Sequence, residues 1–174
     1  MKKILIPLCL LFSLTAQAGE KKQTIETPPF DETVARQMIQ NSIQRFPLAE
    51  DVTIEDAIDS MKLRANQLNF KLVADLPLSE QVKAMGEEAR YMRILAFCDA
   101  LIAKKMVEYN LIFAGFLPCR IAVVEDAQGK GWLVTMNMDM MLHAVDLPDD
   151  LKPLAQQVRD TIYSIVDAGV NGDL

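Results

Sequence analysis

Stretches whose apolar residues recur every three to four positions alternate along this chain with stretches where they run together or alternate, and that pattern predicts its elements. Val34, Met38, Ile39, Ile43 and Phe46 mark one side of a helix that Asp31 can cap and Pro47 ends. Thr53 followed by Asp56 has the form of a capping box, and Ile54, Ala57, Ile58, Met61, Ala65 and Leu68 predict a helix over 54–68. Phe70 to Ala74 reads as a short strand, Leu78 to Met85 as a brief helix stopped at Gly86, and Arg90 to Cys98 as a second strand rich in strand formers. Asp99 can cap a helix running to Tyr109, with Leu101, Ile102 and Met106 facing inward and Asn110 at its end.

Cys119 to Glu125 and Trp132 to Asn137 are apolar segments joined by a polar loop containing Gly129 and Gly131, which predicts a β-hairpin. A last helix starts near Asp149, carries Leu151, Leu154, Val158, Ile162 and Ile165 at helical spacing, and is expected to release the chain at Gly169. Helices and strands mix without strict alternation, so the expected fold is α+β. It is a single compact domain over residues 31–174: a small mixed or antiparallel sheet, a hairpin and helices packed on it, with an N-terminal accessory helix.

The start of the chain reads differently. Lys2 and Lys3 precede an apolar run from Ile4 to Leu14, which leads into Ala16-Gln17-Ala18. That is the form of a secretory leader over residues 1–18, cleaved between Ala18 and Gly19, and it predicts an exported, periplasmic protein. Cys9 lies inside the apolar run rather than at the cleavage point, so it is discarded with the leader. Residues 19–30 are polar, contain Pro28-Pro29 and show no periodicity, as expected of a flexible arm. Nothing later in the sequence forms the roughly 18-residue apolar run a transmembrane helix needs, so no anchor is expected.

Composition narrows the partners. With 51% apolar and 24% charged residues the chain is of ordinary globular type. Its formal charge is −6, and loss of the leader removes two more lysines. Phosphate backbones and anionic membrane surfaces need a basic patch, and beyond Lys21-Lys22 and Lys104-Lys105 there is none, so nucleic acid is not an expected partner.

The block Ile94-Leu95-Ala96-Phe97-Cys98-Asp99, a following helix, then Leu117-Pro118-Cys119-Arg120-Ile121-Ala122-Val123-Val124-Glu125-Asp126, Gly129-Lys130 and a strand ending at Asn137 resembles the bacterial family catalogued as domain of unknown function 302. The resemblance spans about residues 52–145, and the Leu-Pro-Cys-Arg-Ile stretch with its Glu-Asp hairpin is the most specific part. It implies a compact α+β domain with helices on one side of the sheet, in a family where dimers occur, so a homodimer is expected. It brings no catalytic residues. Relatives often carry Asn-Pro where Asp99-Ala100 follows Cys98 here, which leaves the fold inference intact and the turn geometry at that point open.

A few residues could carry chemistry. Cys98 and Cys119, each at a strand end, are the cysteines left after leader removal, and in an oxidising compartment they could form a disulfide, stay as two buried thiols, or act as a dithiol that is redox-active or holds a soft metal. The helical crossover between their strands is expected to bring them within bonding reach. Met136, Met138, Met140 and Met141 crowd into six residues ahead of His143. Thioether sulfur suits Cu(I), so copper is the cofactor this cluster could take, but methionines also fill irregular cores and adaptable interfaces, the plainer expectation. His143, the sole histidine, is a candidate ligand contact and, in principle, a partner for a cysteine nucleophile. Arg120 alternates away from Cys119 and Ile121 onto the opposite strand face, where it could bind an anion or pair with Glu125 or Asp99. Glu125 and Asp126 read as turn residues.

No catalytic set emerges from these residues. The sequence therefore favours an exported, non-enzymatic binding or accessory domain for a small molecule or protein. Its alternative is a thiol-redox or copper-handling protein built on Cys98, Cys119 and the methionine cluster.

Overall fold

The computed structural model describes Pro29 and residues 31–173. The leader expected at 1–18 lies outside the described residues, as does the arm expected at 19–30 apart from Pro29. From Asp31 onward the chain forms one compact unit.

Local capping sets most element starts. The Asp31 carboxylate accepts from the Thr33 and Val34 amides and opens α1 (Glu32–Ser42). The expected capping box is present: Thr53 Oγ1 accepts from the Asp56 amide and the Asp56 carboxylate from the Thr53 amide, opening α2 (Ile54–Gln67). Asp99 accepts from the Leu101 and Ile102 amides to open α4 (Ala100–Tyr109). Asn137 does the same for the Met140 amide and starts α5 (Met138–Ala144). The remaining helices are α3 (Leu78–Ala84) and α6 (Lys152–Asn171), and a 3₁₀ turn occupies Leu111–Gly115.

Five strands, β1 (Ile43–Pro47), β2 (Lys71–Leu76), β3 (Met92–Cys98), β4 (Cys119–Glu125) and β5 (Gly131–Met136), form one sheet in the order β1-β5-β4-β3-β2. Every neighbouring pair is antiparallel. The β4–β5 hairpin is tied at its turn by Asp126, whose carboxylate accepts from the Gln128 and Lys130 amides and from Trp132 Nε1. Those bonds hold its carboxyl below the usual carboxylate range, the indole contact contributing most. Asp126 is thus the turn residue its position suggested.

Three expectations needed correction. The first helix does not reach Phe46: it ends at Ser42, and Ile43–Pro47 pairs as an edge strand with Met136–Trp132. Period-3.6 and period-2 readings of a short apolar run are hard to separate, and here a partner about ninety residues away decides. Pro47 is tolerated because it ends an edge strand. Leu101 does not face inward with Ile102 and Met106 but is 74% exposed. Gly169 does not end the last helix: it lies buried inside α6, and Gly172, in the left-handed region at φ 69°, closes the helix.

Helices α2 and α6 cover one face of the sheet. Ala57, Ile58 and Met61 from α2 and Ile162, Ile165 and Val166 from α6 meet the inward residues Leu95, Phe97, Ile121, Val123 and Leu133 in a common core. A smaller cluster joins Ile102, Met106 and Phe113 to Leu147, Leu151 and Ala155. Among the described residues no helix is long and apolar enough to cross a membrane.

At the β2–β3 edge the Arg93 guanidinium makes a two-pronged bond to Asp75 at 2.6 and 2.8 Å, and Lys62 adds a 3.5 Å contact. The Arg93 contact, opposed in part by burial, holds the Asp75 carboxyl below its ordinary range. Asp75 therefore binds its proton less readily in the folded than in the unfolded chain. The stability this pair contributes is full above the unfolded carboxylate pKa of about 3.9 and disappears as pH falls through the folded value. At pH 6, Asp75→Asn is expected to lose about 1–2 kcal/mol, the range of a charge-assisted pair that stays partly solvated. Urea unfolding of both proteins between pH 6 and pH 2 should show this gap closing as pH falls. A gap independent of pH would contradict the assignment.

Candidate functional site

Strand alternation puts Phe97, Cys119, Ile121, Val123 and Leu133 on the helix-covered face, and Ile94, Ala122, Val124, Val134, Met136 and Arg120 on the other. The second face is largely apolar, with Arg120 and, opposite Val134 on β1, Arg45 as charged residues, yet it lacks a covering helix layer; α1, α5 and the 3₁₀ turn border it at one end. Between them lies an open groove of about 680 Å³.

The groove is lined by Ile94, Ala122, Val134 and Met136 from the sheet, Met38 and Ile39 from α1, Ile112 and Phe116 from the following turn, and Met140 and Met141 from α5. Met38 and Ile39 are 56% and 68% exposed, and α1 buries none of its residues. Polar groups at the rim are engaged internally: Ser42 Oγ donates to the Ile39 carbonyl, Thr135 Oγ1 to the Arg120 carbonyl, and the Asn137 amide to the Asn41 carbonyl. Among the described residues Arg120 is the single ionisable side chain lining the groove, and it has no ion pair. Neither expected carboxylate meets it: Glu125 accepts from the Tyr91 amide, and Asp99 caps α4.

A second, smaller cavity of about 70 Å³ lies on the helix-covered side, between the ends of β3 and β4 and helices α4, α5 and α6. It receives both cysteines. They are free thiols, so the disulfide, one of the three alternatives, is not present. Cys119 stands opposite Phe97 in the β3–β4 register, one residue away from Cys98 at the end of β3, and both line this cavity. Burial, with a smaller contribution from nearby Cys98, pushes the Cys119 thiol up to about 11. Burial and the Asp99 charge also raise Cys98. Thiols held in this way are protonated at neutral pH, the reverse of an activated redox pair.

The methionine cluster divides. Met138 is buried beside the thiols, Met140 turns to the groove, and Met136 and Met141 reach both spaces. Met106, a residue the sequence reading assigned only to packing, joins the thiol cavity from α4. His143 is exposed on α5, where its Nδ1 lies 2.7 Å from the Asp139 carbonyl oxygen, and it lines neither space. A cysteine–histidine pair is therefore not assembled.

The most informative sequence signal for the groove was the apolar character of both alternating sets in β4 and β5. A sheet with one solvated face carries polar residues at one of them. Met38 and Ile39 were missed as groove residues because their helical spacing reads as ordinary core packing.

The sequence matches the family model described as Domain of unknown function DUF302 over residues 46–169. A solved structure described as the crystal structure of uncharacterized conserved protein DUF302 from Bacillus stearothermophilus shares the fold, with a TM-score of 0.59 at 19% identity. The match covers 72% of this chain and 96% of that one. None of the curated proteins matches the sequence.

Proposed function

This chain belongs to the family described as Domain of unknown function DUF302, and from that premise we propose that it is an exported, non-enzymatic binding module whose uncovered sheet face takes an apolar molecule with an anionic head. Its carrying observation is a groove of about 680 Å³ whose only ionisable lining side chain among the described residues is Arg120, without an ion pair there. Small-molecule sites typically measure about 300–1,000 Å³ and combine apolar walls with a few polar anchors. A single guanidinium on an otherwise apolar wall is complementary to a carboxylate on an aliphatic tail, and its fork suits two-pronged carboxylate bonds.

Energetics support an amphiphile of modest length. Each tail CH₂ removed from water contributes about 0.8 kcal/mol, and a bond to a charged group about 1.5–3 kcal/mol. An eight- to ten-carbon carboxylate then exceeds the cost of losing translational freedom, which is about 4 kcal/mol or more. The groove supplies no acid–base pair or activated nucleophile, which favours binding over catalysis. The charged, apolar and small-residue pattern of residues 1–18 supports export, and loss of that segment from the intact mass of the periplasmic protein tests it.

Titration of the isotope-labelled mature chain with decanoate, followed by amide chemical shifts, maps the site. Saturable shifts are expected at Ile94, Ala122, Val134 and Met136, with the α2–α6 side unmoved. Shifts of these amides that follow protein concentration instead would assign the groove to a second copy of the chain. Absence of any saturable shift would end the proposal.

A further inference from the structure

Six sulfur-bearing residues line the small cavity: Cys98, Cys119, Met106, Met136, Met138 and Met141. These residues come from four separate parts of the chain, the ends of β3 and β4, the middle of α4 and the β5–α5 junction. The cavity, about 70 Å³, is an order of magnitude smaller than the groove. At roughly 10–15 Å³ per water-sized probe position it has room for a few small groups and not for an organic ligand of drug size. Apart from Asp99, its lining side chains are sulfur or hydrocarbon, and the Asp99 carboxylate is engaged in capping α4. Among the described residues no cluster of three or more His, Cys, Asp or Glu side chains could hold a metal, so a hard cation finds no ligand set.

We propose that this cavity is a Cu(I) site, with Cys98 and Cys119 as its anionic ligands and a methionine thioether, Met138 foremost, completing the coordination. Soft sulfur donors select Cu(I), and a low-coordinate soft ion fits a small space from which oxygen ligands are nearly absent. Cys98, half-exposed at the end of β3, is the point of entry, while Cys119 and Met138 form the buried wall. Binding converts two thiols and one Cu(I) into a bis-thiolate complex and two released protons, with no change in the oxidation state of either sulfur or copper. Because the thiolate and not the thiol is the metal ligand, binding competes with protons and affinity rises with pH. Met136 and Met141 line both this cavity and the groove, whereas Met140, on the same helix turn, lines the groove alone.

The test is anaerobic competition for Cu(I) between the reduced mature chain and bicinchoninate, with proton release measured in weakly buffered solution. One Cu(I) per chain and two protons per Cu(I) are expected. Cys98→Ser should weaken binding by more than the roughly 10–100-fold that loss of an outer-shell partner costs. Met138→Leu should weaken it less and Met140→Leu not at all. Cys119→Ser places a hydroxyl in the core and could fail to fold, so the half-exposed Cys98 and the volume-conserving Met138 variant carry the test. Failure to compete with bicinchoninate, or copper binding that Cys98→Ser and Met138→Leu leave unchanged, would overturn the assignment.

Discussion

Replacing Phe97 with Ala is expected to lower the unfolding free energy by about 3–5 kcal/mol, the range for deleting a fully buried aromatic side chain. Phe97 is 0% exposed and stands on β3, facing Cys119 across the sheet, within the core formed by α2 and α6. Its removal takes away the ring's burial and leaves a void that the surrounding Met61, Leu95 and Ile162 can close only in part. Leu101→Ala is the control, since this leucine looks equally inward by sequence spacing yet lies in solvent; it should shift stability by less than about 0.5 kcal/mol. Urea midpoints measure both. Equal losses at the two sites would mean that the core is not where the structure puts it.

Gly169→Val should cost about 3 kcal/mol, at the upper end of the penalty for overfilling a packed core. A Cβ at Gly169 would lie 2.6 Å from Met61 Cγ and 2.9 Å from Leu133 Cδ1, and both neighbours are completely buried. The glycine therefore lets α6 approach α2 and the sheet closely. Mid-helix glycine normally loses about 1 kcal/mol to alanine through backbone entropy. Gly169→Ala sets that gain against a smaller clash and should end closer to neutral than Val, still on the destabilising side. At Gly115 a Cβ meets nothing within 4 Å, so Gly115→Ala should be tolerated. Stabilisation by Gly169→Ala would show that Met61 moves aside freely.

What was legible in the sequence is what local chemistry decides. The caps at Asp31, Thr53 with Asp56, and Asp99 act over two or three residues, so the helices they open were readable. The hairpin was readable for the same reason: its turn is held by Asp126 within six residues. The errors share another cause, dependence on distant chain. Ile43 to Phe46 extend because β5 pairs with them, Leu101 faces solvent because the small cluster meets only one side of α4, and Gly169 is inside a helix because Met61 and Leu133 crowd it.

The candidate sites divide in the same way. Alternation along β4 correctly sent Arg120 to the face opposite Cys119, a purely local deduction. That face's lack of a helix layer is a property of the whole fold. The methionines were legible as a cluster, but the structure separates Met138 from Met140, because a helical turn begins between the strand and the last of them. Met106 could not be added to the sulfur set without knowing where α4 packs.

The central claim, a carboxylate held by Arg120 on the uncovered sheet face, is tested most directly by calorimetric titration of decanoate and decanol into the wild type and Arg120→Gln. A charged hydrogen bond of about 1.5–3 kcal/mol predicts that the wild type prefers decanoate by roughly 10–100-fold. In Arg120→Gln that preference should fall to near unity, with decanol affinity and urea midpoint unchanged. Equal decanoate affinity in the two proteins, or no binding of either ligand to the wild type, would contradict it.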